Sequence, residues 1–227
     1  MLTLHAADLL IAVPGTDPVP GGAVVVDGDT VAALGPYEEL AAVYPRARVR
    51  RWPGVITPGL RQWHGAYLLT RAYHPDPREY EELGDRPLTG ERLAVLDMTG
   101  TRWAGSVRRG VQQMLRHGTT AVAIGSDPVV STAVARSGLT VVSPLGAPGI
   151  LLEEPNLDPF RNAYGLADAV ASPLTVGGRA DLAVFDVPDV PDAPDVPDAL
   201  DEAALLEAGA GTCVATVLAG RLVHRRR

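Results

Sequence analysis

The chain has 227 residues, a length for one large domain or two small ones. With 46% hydrophobic and 21% charged residues it can bury a sizeable core, which excludes global disorder. The formal charge of -7 argues against nucleic acid as the main partner, because phosphate binding leans on clustered basic side chains.

All 20 basic residues are arginine. Without lysine the chain offers no Schiff base, no P-loop cation and no carbamylated metal bridge. The single cysteine, Cys213, excludes an internal disulfide framework or thiolate zinc cluster, and its apolar surroundings "TCVATVL" mark it as a small buried hydrophobe. The start "MLTLHAADLLIAVPG" has no basic n-region, so no signal peptide is expected. No apolar run reaches the roughly 18 residues of a membrane span, so a cytoplasmic protein is expected.

In chain order, "LTLHAADLLIAV" reads as strand and leads into the turn formers "PGTDPVPGG". "AVVVDGDTVAALG" reads as a hairpin turning at Asp27-Gly28. "PYEELAAVYP" predicts a short helix with Glu38 and Glu39 near its positive end, and "ARVRRWPGVITPG" a further strand. The middle changes period. Val107, Val111, Met114 and Leu115 recur at spacings of three and four, an amphipathic helix stopped by Gly118. "TTAVAIG" is a buried strand; "DPVVSTAVARSG" is a helix capped by Asp127 with Pro128 at its first position; "LTVVSPLG" is a second buried strand. Helix, strand, helix, strand implies βα units and a parallel sheet.

Towards the end, "LTVGGRADLAVFDV" reads as two short strands around Gly177-Gly178. "PDVPDAPDVPDALDE" is an extended, solvated surface loop; its proline spacing lacks the glycine turn and terminal glutamate of a calcium loop. "EAALLEAG" is a short helix, and "TCVATVLAGRLVHRRR" a closing strand pair with a basic tail.

Five of these stretches, in this order, resemble the amidohydrolase superfamily, in particular its imidazolonepropionase and cytosine-deaminase type. "AVVVDGDTVAALGP" looks like the family's first-segment hairpin and "PGVITPGL" like its lead into barrel strand one. "GVQQMLRHGTTAVA" resembles the first barrel helix and the strand after it. "LTVGGRADLAVFDV" and "VATVLAGRLVHR" resemble the return to the terminal sandwich and its closing hairpin. The resemblance implies an α/β plus β fold. Residues 1–57 and 172–227 would form a composite β-sandwich, with a truncated, incomplete (β/α) barrel remnant in residues 58–171. A full barrel alone needs about 200 residues or more, and the middle segment has room for two or three βα units.

The family's strand-one motif reads Pro-Gly-x-x-x-x-His-x-His. Here Pro58, Gly59 and His64 stand in place, the second histidine is Ala66, and the acid often found before the pair is Gln62. A catalytic zinc or iron needs about three protein ligands and an open position. No metal is expected; if one binds, His64, His74 and Asp76 are its candidate ligands. The candidate catalytic residues are His64, as ligand or general base, and Asp127, which follows a strand end and is also an obvious helix cap.

Three functions stay open. The first is a non-hydrolytic binding or assembly module without cofactor, sealed by a homodimer or heteromeric protein partner. The second is a reduced-form hydrolase or deaminase acting on a C–N bond of a small cyclic amidine or nucleobase-like substrate, with zinc or iron and a site completed by oligomerisation. The third binds a small-molecule ligand at the strand ends without turnover. No nucleic acid and no membrane partner is expected.

Overall fold

Hydrophobic strands from both ends of the chain meet in one sheet. The computed structural model describes residues 2–145, 147–148, 156–187 and 200–226. The first strands are β1 (Leu2–Ala6), β2 (Leu9–Leu10), β3 (Val19–Pro20), β4 (Gly22–Asp27) and β5 (Thr30–Pro36). After helix α1 (Tyr37–Val43) come β6 (Arg48–Arg51), β7 (Val55–Pro58) and β8 (Leu60–Gln62). The closing strands are β11 (Leu182–Phe185), β12 (Cys213–Leu218) and β13 (Arg221–Arg225), with helix α8 (Glu202–Ala208) before the last two.

One sheet has the order β5-β4-β1-β6, and a second the order β13-β12-β11-β7-β2-β3. The join between the two ends of the chain is antiparallel pairing of β11 with β7, Leu182 opposite Pro58 through Phe185 opposite Val55. The two sheets bury a common core: Val24, Val26 and Val31 from one, Leu10, Ile56, Leu182, Val184, Ala215 and Val217 from the other. Each valine, leucine or isoleucine among them contributes about 1.5–3 kcal/mol of apolar burial. On the outer face of the four-stranded sheet, α1 covers Leu4, Ala23 and Val25 with Leu40.

The Asp27-Gly28 hairpin is present, with Gly28 in the left-handed region at φ 61°. The stretch "ARVRRWPGVITPG" is two strands, β6 and β7, which belong to different sheets. The chain crosses between them at Gly54 (φ 69°), where a Cβ would come within 2.2 Å of the Phe185 carbonyl oxygen. "LTVGGRADLAVFDV" contains one strand, β11; Gly177 and Gly178 form a turn whose backbone bonds to Val31 instead of a second strand. The Pro/Asp loop from Pro188 lies outside the described residues.

The middle of the chain forms a third sheet. Helices α2 (Gly65–Thr70), α3 (Tyr80–Leu83), α4 (Gly90–Ala94) and α5 (Gly100–Arg116) separate β8 from β9 (Thr119–Ala123). Helix α6 (Pro128–Ser137) separates β9 from β10 (Thr140–Val142), and α7 (Leu166–Ala169) lies on the return to the sandwich. β8, β9 and β10 are parallel, in the order β10-β9-β8. Val107, Val111 and Met114 of α5 pack with Val130 and Val134 of α6, Leu68 and Leu69 of α2, and Val122. Asp127 accepts from the Val129 and Val130 amides, and Gly138 ends α6 at φ 83°. β10 is not the buried strand its apolar sequence suggests. Among the described residues it is an edge with one neighbour, and Val141 is 56% exposed.

His5 of β1 is buried in the sandwich, its Nδ1 accepting from Trp52 Nε1 at 3.2 Å. Burial, reinforced by the Arg50 charge, lowers its pKa from the ordinary 6.5 to about 4. The unfolded chain therefore binds a proton at pH values where the folded chain does not. Its share of stability is complete above pH 6.5 and is lost as pH falls towards 4, up to about 3 kcal/mol. Urea midpoints should fall over that window, and His5→Asn, which keeps an acceptor for Trp52, should flatten the slope. Gly59→Ala should cost about 2 kcal/mol or more, because its Cβ would lie 2.1 Å from Thr120 Oγ1 inside the core.

Candidate functional site

The residues that stand at the strand-one motif sit at the end of β8, and their side chains turn towards the returning chain. Within the three-stranded sheet β8 pairs only with β9, so its other edge faces residues 156–171. That segment bridges Leu60 through Val170, and the Ala171 amide donates to the Gly59 carbonyl at 3.0 Å. Arg61 Nη2 donates to the Val170 carbonyl at 2.6 Å and to Ala171 at 3.4 Å. Gln62 is fully buried, and its Nε2 donates to the Asn156 and Leu157 carbonyls at 3.2 and 3.3 Å. Gln62 Oε1 accepts from Asn162 Nδ2 at 2.8 Å and from the His64 amide at 3.0 Å. Trp63 Nε1 donates to the Asp168 carbonyl at 3.1 Å, and the Arg61 guanidinium stacks 4.3 Å from the Trp63 ring centroid. Three consecutive side chains thus satisfy main-chain acceptors of a segment that has little regular structure of its own, which is what burial of such a segment demands.

His64 occupies the cap position of α2, where its carbonyl accepts from the Leu68 amide and its side chain makes no cap bond. Its Nδ1 is buried and has no hydrogen-bond partner among the described residues, and the same holds for Asn162 Oδ1 and Arg61 Nε. Burial lowers the His64 pKa, so the ring is neutral at physiological pH.

His74 and Asp76 belong to a different layer. His74 is fully buried, its Nε2 2.9 Å from the Leu68 carbonyl and its amide donating to Ser106 Oγ on α5. Burial lowers its pKa. Asp76 caps the turn that begins at Pro77, and an oxygen of its carboxylate lies 3.3 Å from Arg109 Nη1. Glu79 is held by Arg102 at 2.7 Å and by the Tyr73 hydroxyl. The acidic loop "YHPDPREYEELGD" is therefore tied to α5 through Arg102 and Arg109. Among the described residues no hydrogen bond joins His64 to His74 or Asp76, and no three His, Cys, Asp or Glu side chains group as a ligand set. The described residues around His64 do not fit a catalytic zinc or iron, which needs about three ligands and an open position. Asp127 uses Oδ1 as the α6 cap, at 2.9 Å from both amides. Cys213 is buried in the sandwich, and burial pushes its thiol up to about 11.

The sequence reading singled out His64 and noted Gln62 only as a substituted acid. It missed Arg61, Trp63 and Asn162. The only signal was Gln62 itself, a neutral amide where the family's motif often has an acid.

Residues 22–47 match the imidazolonepropionase-like composite domain of bacteria. That match covers a short N-terminal part of the chain. No curated protein sequence matches it. Among solved structures it is similar to the A. niger ochratoxinase at 22% identity, covering 63% of this chain and 31% of that one, with a TM-score of 0.43. It is similar to the E. coli guanine deaminase at 20% identity, 63% and 35% coverage and a TM-score of 0.43. The Helicobacter pylori aminofutalosine deaminase gives 16% identity, 63% and 33% coverage and 0.44. The chain spans about a third of the length of these structures.

Gln62→Glu should destabilise the fold by about 2–4 kcal/mol at neutral pH, because a buried carboxylate would face two carbonyl oxygens. The side chain can be accommodated only protonated, so the deficit should shrink as pH is lowered towards 5 and grow as it is raised. Urea titration of both proteins across that range checks the sign.

Proposed function

We propose that this chain is an amidohydrolase-like protein whose strand-one residues have become structural, and that it works as a binding or assembly module without hydrolysis. In this reading residues 1–57 and 172–227 are the composite β-sandwich domain and residues 58–171 are a barrel remnant, cytoplasmic like the rest. The observation that carries the reading is the use of Arg61, Gln62 and Trp63: all three side chains hold the main chain of the returning segment. In an amidohydrolase barrel the same strand carries the metal pair; here Ala66 replaces one histidine and α2 begins at Gly65. Among the described residues β10 is an edge of the three-stranded sheet with Val141 exposed, and Leu145 beyond it is 87% exposed. A homodimer or a heteromeric protein partner would cover that edge.

One observation favours a second reading. The neutral His64 ring, with its unpartnered Nδ1, is suited to take a proton from a ligand at the end of β8. A reduced hydrolase or deaminase of small cyclic amidines would use it so, with Asp127 assisting from a neighbouring subunit.

Elemental analysis and light scattering on tag-free protein separate the two. The module reading expects metal-free protein, a dimer at micromolar concentration, and no turnover of amidine or nucleobase substrates. Stoichiometric zinc or iron that is lost in His64→Ala, together with turnover, would overturn it.

A further inference from the structure

The open flank of the sandwich is lined with arginine. β6 is the last strand of one sheet and β13 the last of the other. Arg48 and Arg50 lie opposite Thr3 and His5 of β1 and share the face of that sheet on which His5 stacks with Trp52. From the other sheet the Arg225 guanidinium comes 5.6 Å from the Trp52 ring centroid. Three guanidinia thus converge at one mouth, and none has a salt bridge among the described residues. Burial first, and then the charges of Arg48 and Arg225, lower the Arg50 pKa, as expected for cations crowded without a counter-charge.

Edge strands commonly carry charges that discourage sheet-to-sheet pairing. Such protection does not explain this distribution. Of the other strands at sheet ends, β5 (TVAALGP), β3 (VP) and β10 (TVV) carry no charged residue, and β8 (LRQ) carries only Arg61, which is bonded to the returning segment. Basic charge is concentrated at one flank of a chain whose net charge is -7.

We propose that this flank docks an extended acidic polypeptide segment of a partner protein, added as a strand to the free edge of β6 with alternate carboxylates on Arg48 and Arg50. This rests on the module reading and names the chemistry of the partner. Two features favour a peptide over a phosphate polymer. Among the described residues the backbone edge of β6 has no partner strand on its outer side, and it offers a hydrogen-bonding ladder that only another backbone can use. Arg48 and Arg50 are two positions apart, about 6.6 Å along a strand, the spacing of same-face residues in a paired segment. Guanidinium forks suit carboxylates, and opposite charges paired across neighbouring strands stabilise both. Arg225 would close over the segment from the opposing sheet. The chain's own Pro/Asp loop spaces Asp189, Asp192, Asp195 and Asp198 by three, which does not keep them on one face of a strand.

Fluorescence anisotropy with a labelled peptide of alternating valine and aspartate tests this on the full chain. The expected result is saturable binding that weakens as salt rises. Arg48→Ser combined with Arg50→Ser should weaken it about tenfold or more, and Arg225→Ser should weaken it independently from the opposite sheet. A peptide with aspartate at every third position should bind worse. Arg48 and Arg225 are exposed and Arg50 is partly buried, and urea midpoints close to that of the parent chain would show that the variants fold. Absence of saturable binding, unchanged affinity in both variants, or tighter binding of polyphosphate or single-stranded RNA than of the peptide would overturn the proposal. Finding metal and turnover would remove the module reading and leave this isotherm to stand alone. A missing isotherm would remove the docking slot and leave a metal-free dimer untouched.

Discussion

The middle of this molecule depends on how one short parallel strand satisfies its second edge. β8 pairs with β9 on one side only within its sheet. An unpaired, buried strand edge carries a penalty at every main-chain group. Here residues 156–171 run beside β8, and the Gly59 carbonyl accepts from Ala171. The carbonyls of Asn156, Leu157, Asp168, Val170 and Ala171 receive side-chain donors from Arg61, Gln62 and Trp63. A short chain path from the βα units back to the sandwich becomes possible because these three residues supply donors where a ladder would have done so.

The sandwich anchors both ends of that path. β7 leads directly into β8 through Pro58 and Gly59, and the Gly59 amide donates to the Asp181 carbonyl beside β11. Gly59 packs on Thr120 with no room for a side chain. The start of β8, the centre of the three-stranded sheet and the return into the sandwich therefore meet at one glycine. On the sandwich's far side, Phe160, Leu166, Ala169 and Val170 of the returning segment share a core with Phe185, Cys213 and Leu205. The segment that covers β8 is thus also packed against the composite sheet, so one stretch of chain joins the two cores.

Much of this fold was legible in the sequence. Hairpins, caps and apolar periods are local signals, and the Asp27-Gly28 turn, the Asp127 cap, the α5 stripe and the β12–β13 pair all follow from them. What was not legible depends on contacts distant in sequence. β10 has the composition of a buried strand, yet its exposure is set by how many strands follow it in space. The stretch after Leu174 reads as strand by pattern, and loses to a turn whose backbone pairs with Val31 across the sandwich. At the site, His64 announced itself by a motif, whereas Arg61, Trp63 and Asn162 act through partners about a hundred residues away. An arginine or tryptophan that donates to a backbone carbonyl leaves no periodic trace.

The central claim is that β8 and the returning segment form one structural unit. Native-state hydrogen exchange at single-amide resolution tests it most directly. The Ala171 amide, bonded to Gly59, and the Leu60 amide, bonded to Gly118, should open with one shared free energy close to that of global unfolding. Rapid exchange of Ala171 while Leu60 stays protected would contradict the account, because it would mean that β8 keeps its place without the segment held against it.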